Sequence, residues 1–72
     1  MRNPERIGGF LSALRQVWYS VPDWRFGQLM SNFLGWYVGE TGKDIFFPED
    51  DEMLTYLKLF AKEVIGYEIE GI

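Results

Sequence analysis

Large apolar residues recur at helical spacing from residue 7 onward. Ile7, Phe10, Leu11, Leu14, Val17 and Trp18 stand at offsets 0, 3, 4, 7, 10 and 11, which gathers them on one face of a helix. Asn3-Pro4-Glu5 precedes them. Asn caps free amides, Pro fits the first helical position, and Glu complements the positive end of the dipole. Pro22 drives the residue before it out of the helical region, so the first predicted helix covers 4–19. A second stripe follows at Phe26, Leu29, Met30, Phe33, Leu34 and Tyr37. Asp23 is its expected cap, and Gly39 and Gly42 supply the stop, which predicts a helix over 23–38. Met53, Leu57, Phe60, Ala61 and Val64 form a third stripe, opened by acids at 49–52 and closed by Gly66, hence a helix over 49–65. Between the last two helices, Asp44-Ile45-Phe46-Phe47-Pro48 reads as an extended aromatic segment pressed against the core. The end of the chain alternates apolar and acidic residues, as an edge strand or a frayed terminus would.

This pattern predicts an all-α fold: a small three-helix bundle with a short extended segment between the second and third helices. One helical domain covers 1–66, and 67–72 is a C-terminal tail.

Composition removes several chemistries. The 72 residues include no Cys and no His, which excludes disulfides, thiolate zinc sites, cysteine nucleophiles and imidazole-based triads. The net charge of −4 argues against a binder of phosphate backbones. It is unevenly spread. Residues 1–42 carry four arginines against three acids, and residues 43–72 carry three lysines against eight acids. Attraction between the arginine-bearing first half and the third helix is therefore expected. No run approaches the ~18 apolar residues of a membrane span, and the first residues lead into no signal-like stretch, so a cytoplasmic protein with no membrane partner is expected.

Few constellations remain that could carry catalysis or ligand chemistry. Glu49, Asp50, Asp51 and Glu52 are consecutive, so on a helix they point in different directions rather than converging on one cation. The acidic run reads as dipole complementation and solubility, and no metal or cofactor site is expected. Asp23 and Asp44 are the one carboxylate pair beside aromatics, but a cap and a turn residue explain them more simply. The glycines match no phosphate-binding fingerprint. Gly27 and Gly35 share a helical face and suggest close helix approach or room for a tryptophan. Arg25, Gln28 and Asn32 form one polar edge, as on a DNA-recognition helix, yet the surrounding cations that phosphate contact needs are missing. The expectation is a non-enzymatic protein.

A protein-binding surface fits best. Three short helices do not bury all thirteen aromatic residues, and aromatics with arginine dominate binding hot spots. Trp24, Phe46 and Phe47 are the expected anchors, with Arg25, Gln28 and Asn32 fixing orientation. Trp24→Ala should then weaken binding more than stability. Structural roles are open for the same residues: Arg25 pairing with Asp50 or Asp51, and Gln28 bonding a loop backbone. An exposed Arg25 without an acidic partner would favour binding.

Two stretches, Pro22-Asp23-Trp24-Arg25-Phe26-Gly27-Gln28-Leu29-Met30 and Phe46-Phe47-Pro48-Glu49-Asp50-Asp51-Glu52-Met53, resemble a family of short bacterial proteins. Some of its members are carried by phages or mobile elements. The resemblance covers residues 2–60, beginning at Arg2-Asn3-Pro4, and departs at Gly8-Gly9, where related chains carry better helix formers. It implies a bacterial cytosolic setting and transfers no function. It also frames a second reading, in which the carboxylates of 49–52 mimic nucleic acid and inhibit a host defence protein. Self-association as a homodimer is the third.

Overall fold

The structure, a computed structural model, describes residues 2–71. Three α-helices span Arg6–Ser20 (α1), Phe26–Thr41 (α2) and Asp50–Phe60 (α3). A single π-helical turn, Ala61–Ile65, extends α3. No strand forms among the described residues, and a short non-helical segment joins α2 to α3. The fold is a small all-α bundle.

The helix ends differ in detail from the sequence expectation. A tight turn leads into α1. The Asn3 side chain accepts the Glu5 amide at 3.0 Å, and the Arg6 and Ile7 amides bond back to the carbonyls of Asn3 and Pro4. At α2 the expected Asp23 cap is not used. Asp23 stays exposed in the preceding turn, and the helix begins after Arg25. Gln28 reaches back instead, its Oε1 accepting the Arg25 amide at 2.8 Å. A guanidinium has no acceptor, so Gln28 supplies this lock alone. α2 also runs through Gly39 to Thr41. It stops at Gly42, whose φ of 68° is a left-handed conformation that an L side chain resists.

α3 is the helix against which both others pack. Arg6 near the start of α1 meets Asp50 near the start of α3, and Gln16 near the end of α1 meets Glu70 beyond the end of α3. These helices therefore run parallel. α2 runs antiparallel to α3, placing Tyr37 against Tyr56 and Phe33 against Phe60. Ala13, Val17, Leu29, Phe33, Leu57, Phe60 and Ala61 form the buried cluster. Phe60 is its hub, with ring centroids 6.4 Å from Trp24, 5.4 Å from Phe33 and 5.5 Å from Trp36.

Four stripe positions turn outward: Ile7, Leu11, Phe26 and Val64. Ile7 and Leu11 are exposed because α1 faces α3 through Ala13 and Val17. Val64 is exposed while Ile65 packs on the core. The wider π turn moves the register by about one residue relative to continued α-helix. The amides of Gly66 and Tyr67 then close on the Ala61 carbonyl at 2.7 and 2.9 Å.

The end of the chain is neither strand nor frayed end over the described residues. Tyr67 and Ile69 pack on the core. The Gln16 amide both donates to the Glu70 carbonyl and accepts the Glu70 N–H, at 2.6 and 2.8 Å, and the Tyr67 hydroxyl donates to the same Gln16 oxygen at 3.0 Å. Ile72 lies outside the described residues. Gly27 and Gly35 mark no close helix approach, since nothing lies within 4 Å of a β-carbon built on either.

Candidate functional site

The α2–α3 connection is a turn made by its own side chains. Thr41 Oγ1 donates to the Tyr37 carbonyl at 2.9 Å and accepts the Lys43 amide at 3.1 Å. Asp44 Oδ1 accepts the Phe46 amide at 2.9 Å, a side-chain turn of the kind that fixes short loops. The segment is thus present, but its two phenylalanines do not press on the core. Phe46 is 82% exposed and Phe47 76% exposed. Their rings pack edge to face on each other, with centroids 5.2 Å apart. The core beneath is already closed, because Tyr37 is fully buried and meets Tyr56 edge to face at 5.0 Å.

Beside Phe47 lies an open recess of about 360 Å³ lined by Tyr37, Lys43, Asp44, Phe47, Pro48 and Glu52. Tyr37 is 0% exposed, yet its hydroxyl has no hydrogen-bond partner among the described residues. Buried polar groups are nearly always satisfied, so an orphaned hydroxyl calls for a reason. Lys43, Asp44 and Glu52 have no ion-pair partner among the described residues.

The acidic run divides. Glu49 pairs with Arg2 at 2.8 Å and Asp50 with the Arg6 Nε, while Asp51 and Glu52 face solvent. The attraction between the first half of the chain and α3 therefore exists, but through different arginines than Arg25. Asp50 takes Arg6 because parallel packing brings the starts of α1 and α3 together, whereas antiparallel α2 carries Arg25 to the far end. Both pairs are largely exposed and contribute little to stability.

The remaining predicted residues sit at that far end. Trp24 is half-buried on Phe60, and its carbonyl accepts the Trp18 indole N–H at 2.7 Å. Arg25 is exposed and has no acidic partner among the described residues. Gln28 takes its structural role as the lock on the Arg25 amide. Asn32 is exposed one helical turn further on. Trp18, Tyr19, Pro22, Asp23, Trp24 and Arg25 line a shallow groove there. The 16 residues of α2 at ~1.5 Å each separate this groove from the phenylalanine pair by about 24 Å. The predicted residues therefore form two patches, at opposite ends of the bundle.

Sequence reasoning did not single out Lys43 for a site, and it reached Glu52 only as part of the acidic run 49–52 and Tyr37 only as one of the aromatics that flank the loops. Tyr37 reads as an ordinary stripe residue, and only its packing shows the orphaned hydroxyl. No helix is long and apolar enough to cross a membrane, and no group of three or more acidic, His or Cys side chains converges as a metal site would, both among the described residues. No protein-family model, curated protein or solved structure matches this chain.

Proposed function

We propose that this chain is a small, non-enzymatic protein-interaction module whose main contact surface is the Phe46–Phe47 pair. The observation that carries this reading is the exposure of two adjacent, mutually packed aromatic rings on a turn already fixed by Asp44. Aromatic anchors on a preformed turn bury large apolar area on binding while losing little conformational freedom. Lys43, Asp44 and Glu52 supply a polar rim. Arg25, exposed and without an acidic partner among the described residues, supports a secondary contact at the far end, and Asn32 lies along the same edge. A bacterial cytoplasm, in a mobile-element setting, belongs to this proposal on the strength of the motif resemblance alone.

The nucleic-acid mimic is less well supported, because Arg2 and Arg6 engage two of the four carboxylates it needs. Replacing both phenylalanines, Phe46→Ser with Phe47→Ser, tests the proposal. Both rings are mostly in water already, so stability should stay within about 0.5 kcal/mol of wild type. A partner retained by wild type on an affinity column should be lost by the double variant and kept by Arg25→Glu. Retention by the double variant contradicts the assignment. A change in mass with concentration that the double variant abolishes would identify the partner as a second copy.

A further inference from the structure

We infer that the outward face of α2 is a self-association surface, on which a second copy of this chain lays its own α2 antiparallel. α2 packs on the core through Leu29, Phe33 and Tyr37, so its opposite face looks outward. From Phe26 through Gly39 the sequence holds no charged residue, although half of that helix is exposed. Depletion of charge distinguishes the centre of an interface from ordinary surface. Arg25 and Glu40 bracket the uncharged stretch. Both are exposed, and neither has an ion-pair partner among the described residues. Within that stretch Gly27, Ser31, Gly35 and Gly39 recur at every fourth position on the exposed face. Glycine weakens a helix interior relative to alanine, and nothing in the folded chain lies within 4 Å of a β-carbon built on any of these glycines. The space they leave open is therefore not used within the chain. Small residues of this spacing let two helix backbones approach closely.

The charges and the small residues fix the same alignment. Antiparallel pairing of Arg25 with Glu40 of the second copy puts the two-fold axis between residues 32 and 33. Pairing Gly27 with Gly39, and Ser31 with Gly35, puts it at residue 33, half a residue away. On the helix Arg25 and Glu40 fall on the same shoulder of the small-residue stripe, at opposite ends. A two-fold axis keeps like shoulders together and exchanges the ends, so it brings each arginine to a glutamate. Val38, 45% exposed, then seats on the bare backbone at Gly27 of the second copy. A parallel pair would instead oppose arginine to arginine and glutamate to glutamate. A helix of another protein would need to supply both the charges and the small residues, which a second copy already carries. One helix about 24 Å long and ~10 Å wide covers well under the ~800 Å² per partner of a standard interface. The dimer is therefore weak, with a dissociation constant of about 0.1–1 mM.

Sedimentation equilibrium of the full chain in low salt, from about 20 μM to 2 mM, tests this. The mass should rise from monomer toward dimer. Arg25→Glu and Glu40→Arg should each weaken association about tenfold, because the two-fold axis turns two attractive pairs into repulsive ones. The double variant Arg25→Glu with Glu40→Arg should return to within about threefold of wild type. Gly35→Gln should abolish association by wedging a side chain between the backbones. Its thermal midpoint in dilute solution should stay at or above that of wild type, since nothing crowds the new β-carbon and glutamine is the better helix former. The inference is overturned by a wild type that stays monomeric throughout, whether or not its α2 face captures another protein. A dimer that survives Gly35→Gln, or a charge swap that restores nothing, overturns it equally. The Phe46→Ser, Phe47→Ser variant should dimerise as wild type does. If it loses its partner but still dimerises, both surfaces stand. If it keeps its partner and dimerises, the contact surface falls and the dimer stands. If it alone abolishes dimerisation, the α2 interface falls.

Discussion

Phe60→Ala is expected to cost about 3–5 kcal/mol, the range for removing a fully buried phenylalanine ring. Three aromatic neighbours, Trp24, Phe33 and Trp36, lose their shared partner at once. They come from the turn before α2 and from the body of α2, so the cavity opens where α2 seats on α3 and cannot close by moving one side chain. A chain of this length has a net stability of about 4–11 kcal/mol, so the loss takes a large share of the total. Thermal unfolding followed by circular dichroism should show a midpoint lowered by about 15–30 °C or no cooperative transition. A loss below about 1 kcal/mol would mean that α2 does not depend on this ring. Tyr19, which is 71% exposed, is the control position, and its replacement by alanine should leave the midpoint nearly unchanged.

Trp24→Ala is expected to cost about 2–3 kcal/mol, less than Phe60→Ala because the indole is only half-buried. Its ring packs on Phe60 and closes the end of the core where the chain turns from α1 into α2. The Trp24 carbonyl that receives the Trp18 indole survives the substitution, so the bond at 2.7 Å can persist and moderates the loss. Urea unfolding of the variant measures this directly. The sequence alone points to Trp24 as a binding anchor whose replacement harms affinity before stability. Its packing reverses that order: below its own unfolding midpoint, Trp24→Ala should still retain a partner that the Phe46–Phe47 pair captures. Unchanged stability with lost retention would return Trp24 to the contact surface.

The three helices were legible in the sequence because each buries a stripe at helical spacing. Leu29, Phe33 and Tyr37 lie where the stripe of α2 places them. The choice of face within a stripe was less legible. Ile7 and Leu11 belong to the α1 stripe by spacing, yet α3 packs on Ala13 and Val17, a preference that arises only once a neighbour is present. Ile65 replaces Val64 for the same kind of reason, since the π turn is a tertiary adjustment that no local residue dictates. Gln28 rather than Asp23 secures the start of α2, a choice that residue preference alone leaves open.

At the site, Phe46 and Phe47 were identifiable from their position before a proline and off the helical stripes. Their separation from Arg25 was not, because it depends on α2 running antiparallel to α3. The same topology gives Asp50 to Arg6. Nothing in the spacing of Tyr37 sets it apart from Phe33, so its hydroxyl became visible only when every neighbour was in place.

Site-specific photo-crosslinking in living cells tests the contact surface most directly. The photoreactive phenylalanine analogue p-benzoylphenylalanine is placed singly at Phe46, Phe47, Tyr19 and Val64, positions that are all exposed, so each variant should fold. Cells are irradiated, and covalent adducts are resolved by mass. Adducts of one partner mass from positions 46 and 47, and none from 64, are the predicted result. Adducts from 19 or 64 with none from 46 or 47 would contradict the assignment of the contact surface to the α2–α3 connection.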